Sequence, residues 1–282
     1  MMLTADSHVH SEWSWDTGGP DSEAAGTMVR TCERAVRIGL PALTFTEHCD
    51  IDGWRAGPED FPESNRRHIT EDGYLVPPPL DVDGYLAAID RCRHQYPELT
   101  ISTGLELGQP HLVEARAREL FDPARFDRIN GSLHTLAVGA DRAEPVTLYR
   151  SWAPDDVVWA YLAEVPRVVA GSTAFEVFTH IDYAVRHWPT VQAGPFDPTR
   201  FEDGFRSAMR AIAGTGRALE MNTRRLWPWI PQWWKEEGGR AVSFGSDAHV
   251  AHALADGFPE AQQMLEHLGF RPGKRPEELW RL

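Results

Sequence analysis

The sequence predicts one α/β domain built on a parallel sheet, and three observations carry that prediction. Short apolar, β-rich segments alternate with longer helical patterns along the chain. No composition break, tandem repeat or low-complexity run interrupts the 282 residues, so residues 1–282 read as a single domain. Hydrophobic residues make up 42% and charged residues 25%, ordinary globular usage that excludes wholesale disorder.

Strands are expected at Leu3–His8, Ala42–Thr46, Thr100–Leu105, Arg128–Leu133, Glu176–Thr179, Ala218–Met221 and Ala241–Gly245. Each is a short apolar run of the kind a sheet covered on both faces requires. Helices are expected at Ser22–Ile38, Asp83–Tyr96, Pro110–Phe121, Pro154–Val165, Pro198–Ala213 and Pro259–Leu268. Pro154 or Asp155 before Val157 marks a helix start, and Gly39 after Ile38 marks a stop. Two long connections, Asp50–Asp83 and His187–Pro198, are rich in turn formers, and in a barrel such loops sit at the functional mouth.

Charge narrows the partners. The net charge is −14 with a pI near 5.3, a surface that repels phosphate backbones and disfavours nucleic acid. An anionic substrate therefore needs a local positive site, such as metal ions. No run approaches the roughly 18 apolar residues of a membrane helix, and the N-terminus carries no signal-peptide pattern. Three cysteines, Cys32, Cys49 and Cys92, are too few for a disulfide framework and point to a reducing cytoplasm. Oligomeric state stays open.

Histidine is the informative residue. His8 and His10 close the first strand, and alternate strand residues share a side, so both imidazoles can meet one ion. Nearly every later strand ends in a ligand type: Glu47-His48, Glu106, His134, His180 and, last, Asp247 with His249. Strand carboxyl ends of a barrel share one rim, so these residues meet despite their separation in sequence. Independent structural histidines have no reason to select strand ends, which favours a multinuclear metal site. Imidazoles supply nitrogen ligands, Glu106 and Asp247 supply charge and can bridge, and Cys49 reads as packing.

Asp6-Ser7-His8-Val9-His10, Asp16, Thr46-Glu47-His48, Gly104-Leu105-Glu106, Gly131-Ser132-Leu133-His134, Thr179-His180 and Ser246-Asp247-Ala248-His249 together resemble the PHP (polymerase and histidinol phosphatase) superfamily. That resemblance implies a distorted (β/α)7 TIM-like barrel. It further implies two to three divalent transition-metal ions, zinc, iron or manganese. His8, His10, Glu106 and Asp247 would hold the first; Glu106 would bridge to a second held by His134 and His180; Asp16, His48 and His249 would hold a third. Many members carry His where this chain has Asp16. Thr-Glu-His-Cys-Asp at residues 46–50, Gly-Ser-Leu-His at 131–134 and Glu-Met-Asn-Thr at 220–223 resemble the histidinol-phosphate phosphatase branch. Arg224-Arg225-Leu226-Trp227 then departs from the branch's usual small residues.

The implied activity is hydrolysis of a small phosphate monoester, L-histidinol phosphate, to L-histidinol and phosphate, a step of histidine biosynthesis. Metal ions on one rim neutralise the dianion and activate a water, with no covalent phosphoenzyme. Glu106, Asp247 and His249 are the catalytic candidates; the leaving group's proton comes from a water on the ions or from Asp247. Arg186 and Arg225 are the candidates for phosphate oxygens, because a guanidinium fork matches them. Asp50 or Asp52 could attract the substrate ammonium. The tryptophans at 227, 229, 233 and 234 read first as helix packing and second as a stacking surface. Rival readings are a PHP phosphoesterase of nucleotides or other small esters, a catalytically silent metal-binding domain, and a barrel amidohydrolase. The amidohydrolase is disfavoured because neither Lys235 nor Lys274 lies at a strand end.

Overall fold

In a computed structural model that describes residues 3–17 and 26–282, β1 (Asp6–Val9) opens the chain and a single helical turn at 15–17 carries Asp16. Helix α1 (Met28–Ile38) starts later than the expected Ser22, with Thr27 accepting from the Arg30 amide; residues 22–25 lie outside the described residues. Gly39 ends it at φ 71°, a left-handed cap that favours glycine. Strand β2 (Ala42–Cys49) is the expected second strand, extended through His48.

The connection after β2 is not plain loop. It forms β3 (Trp54–Arg55) and β4 (Tyr74–Leu75) before α2 (Val82–Gln95) and β5 (Thr100–Gly108). After α3 (Pro110–Leu120) and β6 (Arg128–Ser132) come β7 (Leu136–Val138) and β8 (Asp141–Ala143). These four short strands make a small second sheet in the order β4-β3-β8-β7. Their runs of two or three residues are too short to leave a periodic signal in sequence.

Helices α4 (Pro145–Leu148) and α5 (Pro154–Gly171) follow. Helix α5 runs through Pro166, past the expected end at Val165, because Val168 and Val169 continue its buried stripe. The remaining elements are β9 (Val177–Phe178), α6 (Thr190–Ala193), α7 (Glu202–Gly214), β10 (Ala218–Asn222), α8 (Trp229–Glu236), β11 (Ala241–Gly245), α9 (Phe258–Leu268) and β12 (Trp280–Arg281).

The seven expected strands all exist and lie parallel in the order β1-β2-β5-β6-β9-β10-β11, with β12 antiparallel on β11. The two edges meet. Asp247 donates its amide to the His8 carbonyl at 2.8 Å, and His10 donates to Ala248 at 3.0 Å. Beneath that seam β12 pairs with Ala241 and Val242, and Trp280 donates its indole N–H to Thr4 at 3.1 Å. The curled sheet with helices outside is the distorted TIM-like barrel expected, and its carboxyl rim gathers the ligand-type residues. No helix among the described residues is long and apolar enough to cross a membrane.

Candidate metal centre

The rim is built on β1. His8 Nε2 and His10 Nε2 stand 3.1 Å apart, and both residues are buried. Glu106 Oε2, from the end of β5, lies 3.3 Å from the first nitrogen and 3.5 Å from the second. Asp247 Oδ1, just past β11, is 3.8 and 3.3 Å from the same two atoms. Ligands held about 2.0–2.2 Å from a tetrahedral zinc stand roughly 3.3–3.5 Å from one another, so these four donors suit such an ion.

The other Glu106 oxygen serves a second group. Oε1 is 2.7 Å from His180 Nε2 and 3.2 Å from His134 Nε2. A third group lies beside the first: Asp16 Oδ2 is 2.9 Å from His249 Nε2 and 3.5 Å from His48 Nε2. The His48 and His249 rings stack on His10 at 4.2 Å each, which joins the groups into one cluster. All nine expected ligand residues thus converge.

Neighbouring acceptors fix which nitrogen each ring presents. His8 Nδ1 is 2.5 Å from Glu220 Oε1, whose other oxygen accepts from the His180 amide at 2.8 Å and from Asn222 at 3.1 Å. His10 Nδ1 is 3.0 Å from Ser14 Oγ, and that hydroxyl donates to Glu47 at 2.7 Å, leaving its oxygen to accept from the ring. Both Nε2 atoms therefore present lone pairs to one another and to two carboxylates. A cation between them reconciles that arrangement, and such carboxylate–histidine pairs are the usual support of metal ligands. Glu106 Oε2 and Asp16 Oδ1 are buried without a hydrogen-bond partner among the described residues.

Backbone strain gathers here too. His180 sits at φ 20° and Asp247 at φ 55°, left-handed values that non-glycine residues seldom adopt away from functional sites. Gly245 has no room for a side chain, because a Cβ there would overlap the Glu220 carboxylate and the His8 Cβ.

Burial opposes ionisation of Glu106, yet His8, His134 and His48 hold its carboxyl well below the usual range. Burial likewise opposes Asp247, and Arg186 and His8 overcome it. Burial, reinforced by Arg186, lowers His180 to about 4. Three further carboxyls go the other way: burial pushes Asp6 up to about 6, and Glu47 and Glu144 up to about 7.

A cavity of about 750 Å³ opens above the rim. Arg186 lines it, 2.7 Å from Asp247 Oδ2 and 5.2 Å from the Tyr183 ring centre. Arg225 also lines it but spends two donors, at 2.9 Å each, on the Val185 and Arg186 carbonyls, and so braces the turn that carries Arg186. Arg224 also lines the cavity with an exposed side chain whose Nη1 lies 3.9 Å from Asp247 Oδ2, and nothing in the sequence separates it from its neighbour. Trp15, Trp54 and Phe61 pack together as an aromatic part of the lining.

Two sequence expectations are corrected. Asp52 is tied in a bidentate pair to Arg116, at 2.6 Å for both bonds, among exposed groups. Asp50 is buried beside the candidate ligands, with Oδ1 3.2 Å from His134 Nδ1 and Oδ2 accepting from Trp15 at 3.1 Å, so both its oxygens have partners and it orients His134. The tryptophan cluster packs as expected: Trp229 and Trp233 lie against Phe205, and Trp234 is fully buried. Trp227 instead caps Asp182 at 3.0 Å. Sequence reasoning missed the orienting roles of Glu220, Glu47 and Ser14, which carried no signal beyond position in or after a strand.

The model of the PHP domain family matches residues 6–224. Over 279 residues the chain is 26% identical to a probable histidinol-phosphatase of Clostridium acetobutylicum, covering 96% of each. Over 282 residues it is 26% identical to a histidinol-phosphatase of Lactococcus lactis, covering 95% of this chain and 93% of that one. In three dimensions it superposes with a TM-score of 0.76 at 22% identity on a Lactococcus lactis histidinol phosphate phosphatase complexed with zinc, L-histidinol and phosphate, covering 96% of this chain and 95% of that one. The family match includes seven of the nine candidate donors, and the chain belongs to the PHP domain family.

Proposed function

We propose that this chain is a metal-dependent phosphoric monoester hydrolase that converts L-histidinol phosphate to L-histidinol and phosphate. One observation carries the reading: Glu106 turns its two oxygens to two separate histidine groups directly below a cavity walled by Arg186. The full-length similarity to histidinol-phosphatases supports the choice of substrate. The donor set suits two to three ions of zinc, iron or manganese: His8, His10, Glu106 and Asp247 for one, Glu106, His134 and His180 for the next, Asp16, His48 and His249 for the last. Such ions, when bound, neutralise a phosphate dianion and lower the pKa of a coordinated water.

The chain's own residues do the positioning. Arg186 and the exposed Arg224 offer guanidinium donors on the cavity wall, where a planar fork fits phosphate oxygens. Arg225 holds the Arg186 turn in place through its two carbonyl contacts. Glu220 and Ser14 keep the two β1 rings turned toward the rim. The test is a panel of phosphate esters on protein purified without chelators. We expect kcat/KM for histidinol phosphate to exceed that for p-nitrophenyl phosphate or a nucleotide by roughly 10²-fold or more. Equal turnover across the panel would remove the biosynthetic substrate while leaving a metal-dependent phosphoesterase.

A further inference from the structure

The substrate named above is dipolar, with a phosphate at one end and an ammonium beside the imidazole, and the cavity is lined by groups of both signs. Its lining holds Arg186, Arg224 and Arg225 together with the carboxyl groups of Asp50, Asp60, Glu144 and Asp256. Three of these four acids are unsuited to a ligand. Asp50 is engaged by His134 and Trp15. Asp60 accepts from the Gly57 amide at 2.6 Å and the Thr147 hydroxyl at 2.9 Å and is neutralised by Arg150. Asp256 is exposed, where a carboxylate contributes little.

Glu144 differs on each count. It is only 6% exposed yet lines the cavity. Among the described residues its carboxylate has a single donor, the Tyr183 hydroxyl at 2.9 Å on Oε2. It belongs to none of the clustered groups suited to a metal. A carboxylate has about four acceptor positions, and a buried one with a single neutral donor is under-satisfied. Its position is fixed from both sides. The start of α4 follows it directly, and the Tyr183 ring lies 5.0 Å from both the His134 and His180 rings. Glu144 therefore stands one tyrosine away from the His134 and His180 rings, on the lining of the same cavity.

Resting on the function proposed above, we propose that the Glu144 carboxylate, braced by the Tyr183 hydroxyl, receives the ammonium group of the substrate and is the residue that selects an aminated phosphate ester. An ammonium supplies the charge and the donors that the buried carboxylate lacks, and an ester without the amine leaves Glu144 desolvated and unpaired.

The test compares L-histidinol phosphate with the same imidazolyl-propyl phosphate lacking the amine. The native enzyme should favour the aminated ester in kcat/KM by roughly 10²-fold or more. Glu144→Gln keeps the shape and the tyrosine contact but not the charge, and should bring that ratio to within a few-fold of one; Tyr183→Phe should lower it part of the way. A ratio near one in the native enzyme overturns the assignment without any variant. A native-sized ratio in Glu144→Gln, with or without metal loss, also overturns it and leaves the proposed substrate standing. A native enzyme that hydrolyses neither ester but acts on another phosphate ester removes both proposals together.

Discussion

Glu106 faces two groups of imidazoles with separate oxygens, so one substitution disturbs both. Glu106→Gln keeps the volume and removes the charge. Turnover should fall by at least about 10³-fold and elemental analysis should find less metal, since the proposed role is that of a ligand, and even an orienting neighbour of a ligand costs about 10–100-fold when lost. Retention of both metal and turnover would sink the assignment. Asp16 is a milder case, because an imidazole there can still reach toward His48 and His249. Asp16→His should remain active within about tenfold and shift which divalent ion activates best, as ligand type sets preference. Reconstitution with zinc, iron and manganese in turn checks this. The convergence of the candidate ligands was legible in the sequence because their types are rare and recur at strand ends. Glu220 and Asp50 were not: their roles depend on which side of the rim faces His8 or His134, and that is decided by packing between elements far apart in the chain.

Elements place these residues with little slack. β11 can approach β1 only because Gly245 leaves space for Glu220 and His8. Gly245→Ala should cost about 1–3 kcal/mol of stability, the usual range for overpacking a filled interior. Denaturant melts check this, and a neutral effect would contradict the close approach. Helices α3 and α5 meet through His111 and Glu164, 3.0 Å apart. Burial lowers the His111 pKa more than Glu164 raises it. The unfolded chain therefore protonates this ring first as pH falls through about 6.5, so the stability tied to it is present above that pH and is lost below it. His111→Gln should narrow the difference in Tm between pH 7.5 and pH 5.5, and an unchanged difference would refute the sign. The seven parallel strands were readable because each is a continuous apolar run. The ends of α1 and α5 were not, since a cap at Thr27 and a tolerated Pro166 depend on neighbours.

At the scale of the molecule, His8 and His10 on one side and Asp247 on the other lie at the seam where β1 meets the end of β11, so an ion held between them would tie together the two edges of the sheet. Removing the ion should lower stability as well as activity. Occupancy at 100 times the dissociation constant adds about 2.7 kcal/mol, a Tm change of roughly 5 °C for a chain of this size. Differential scanning calorimetry with and without chelator checks it. The barrel and its rim were legible from the alternation of elements and the spacing of ligand types. The small β4-β3-β8-β7 sheet beside the aromatic lining was not, because its strands are too short to show a period. The most direct measurement of the central claim is histidinol phosphate hydrolysis by chelator-stripped protein as a divalent ion is titrated back. Activity should be absent in the stripped protein and return only as more than one equivalent binds per chain, whereas full turnover by the metal-free protein would contradict the account.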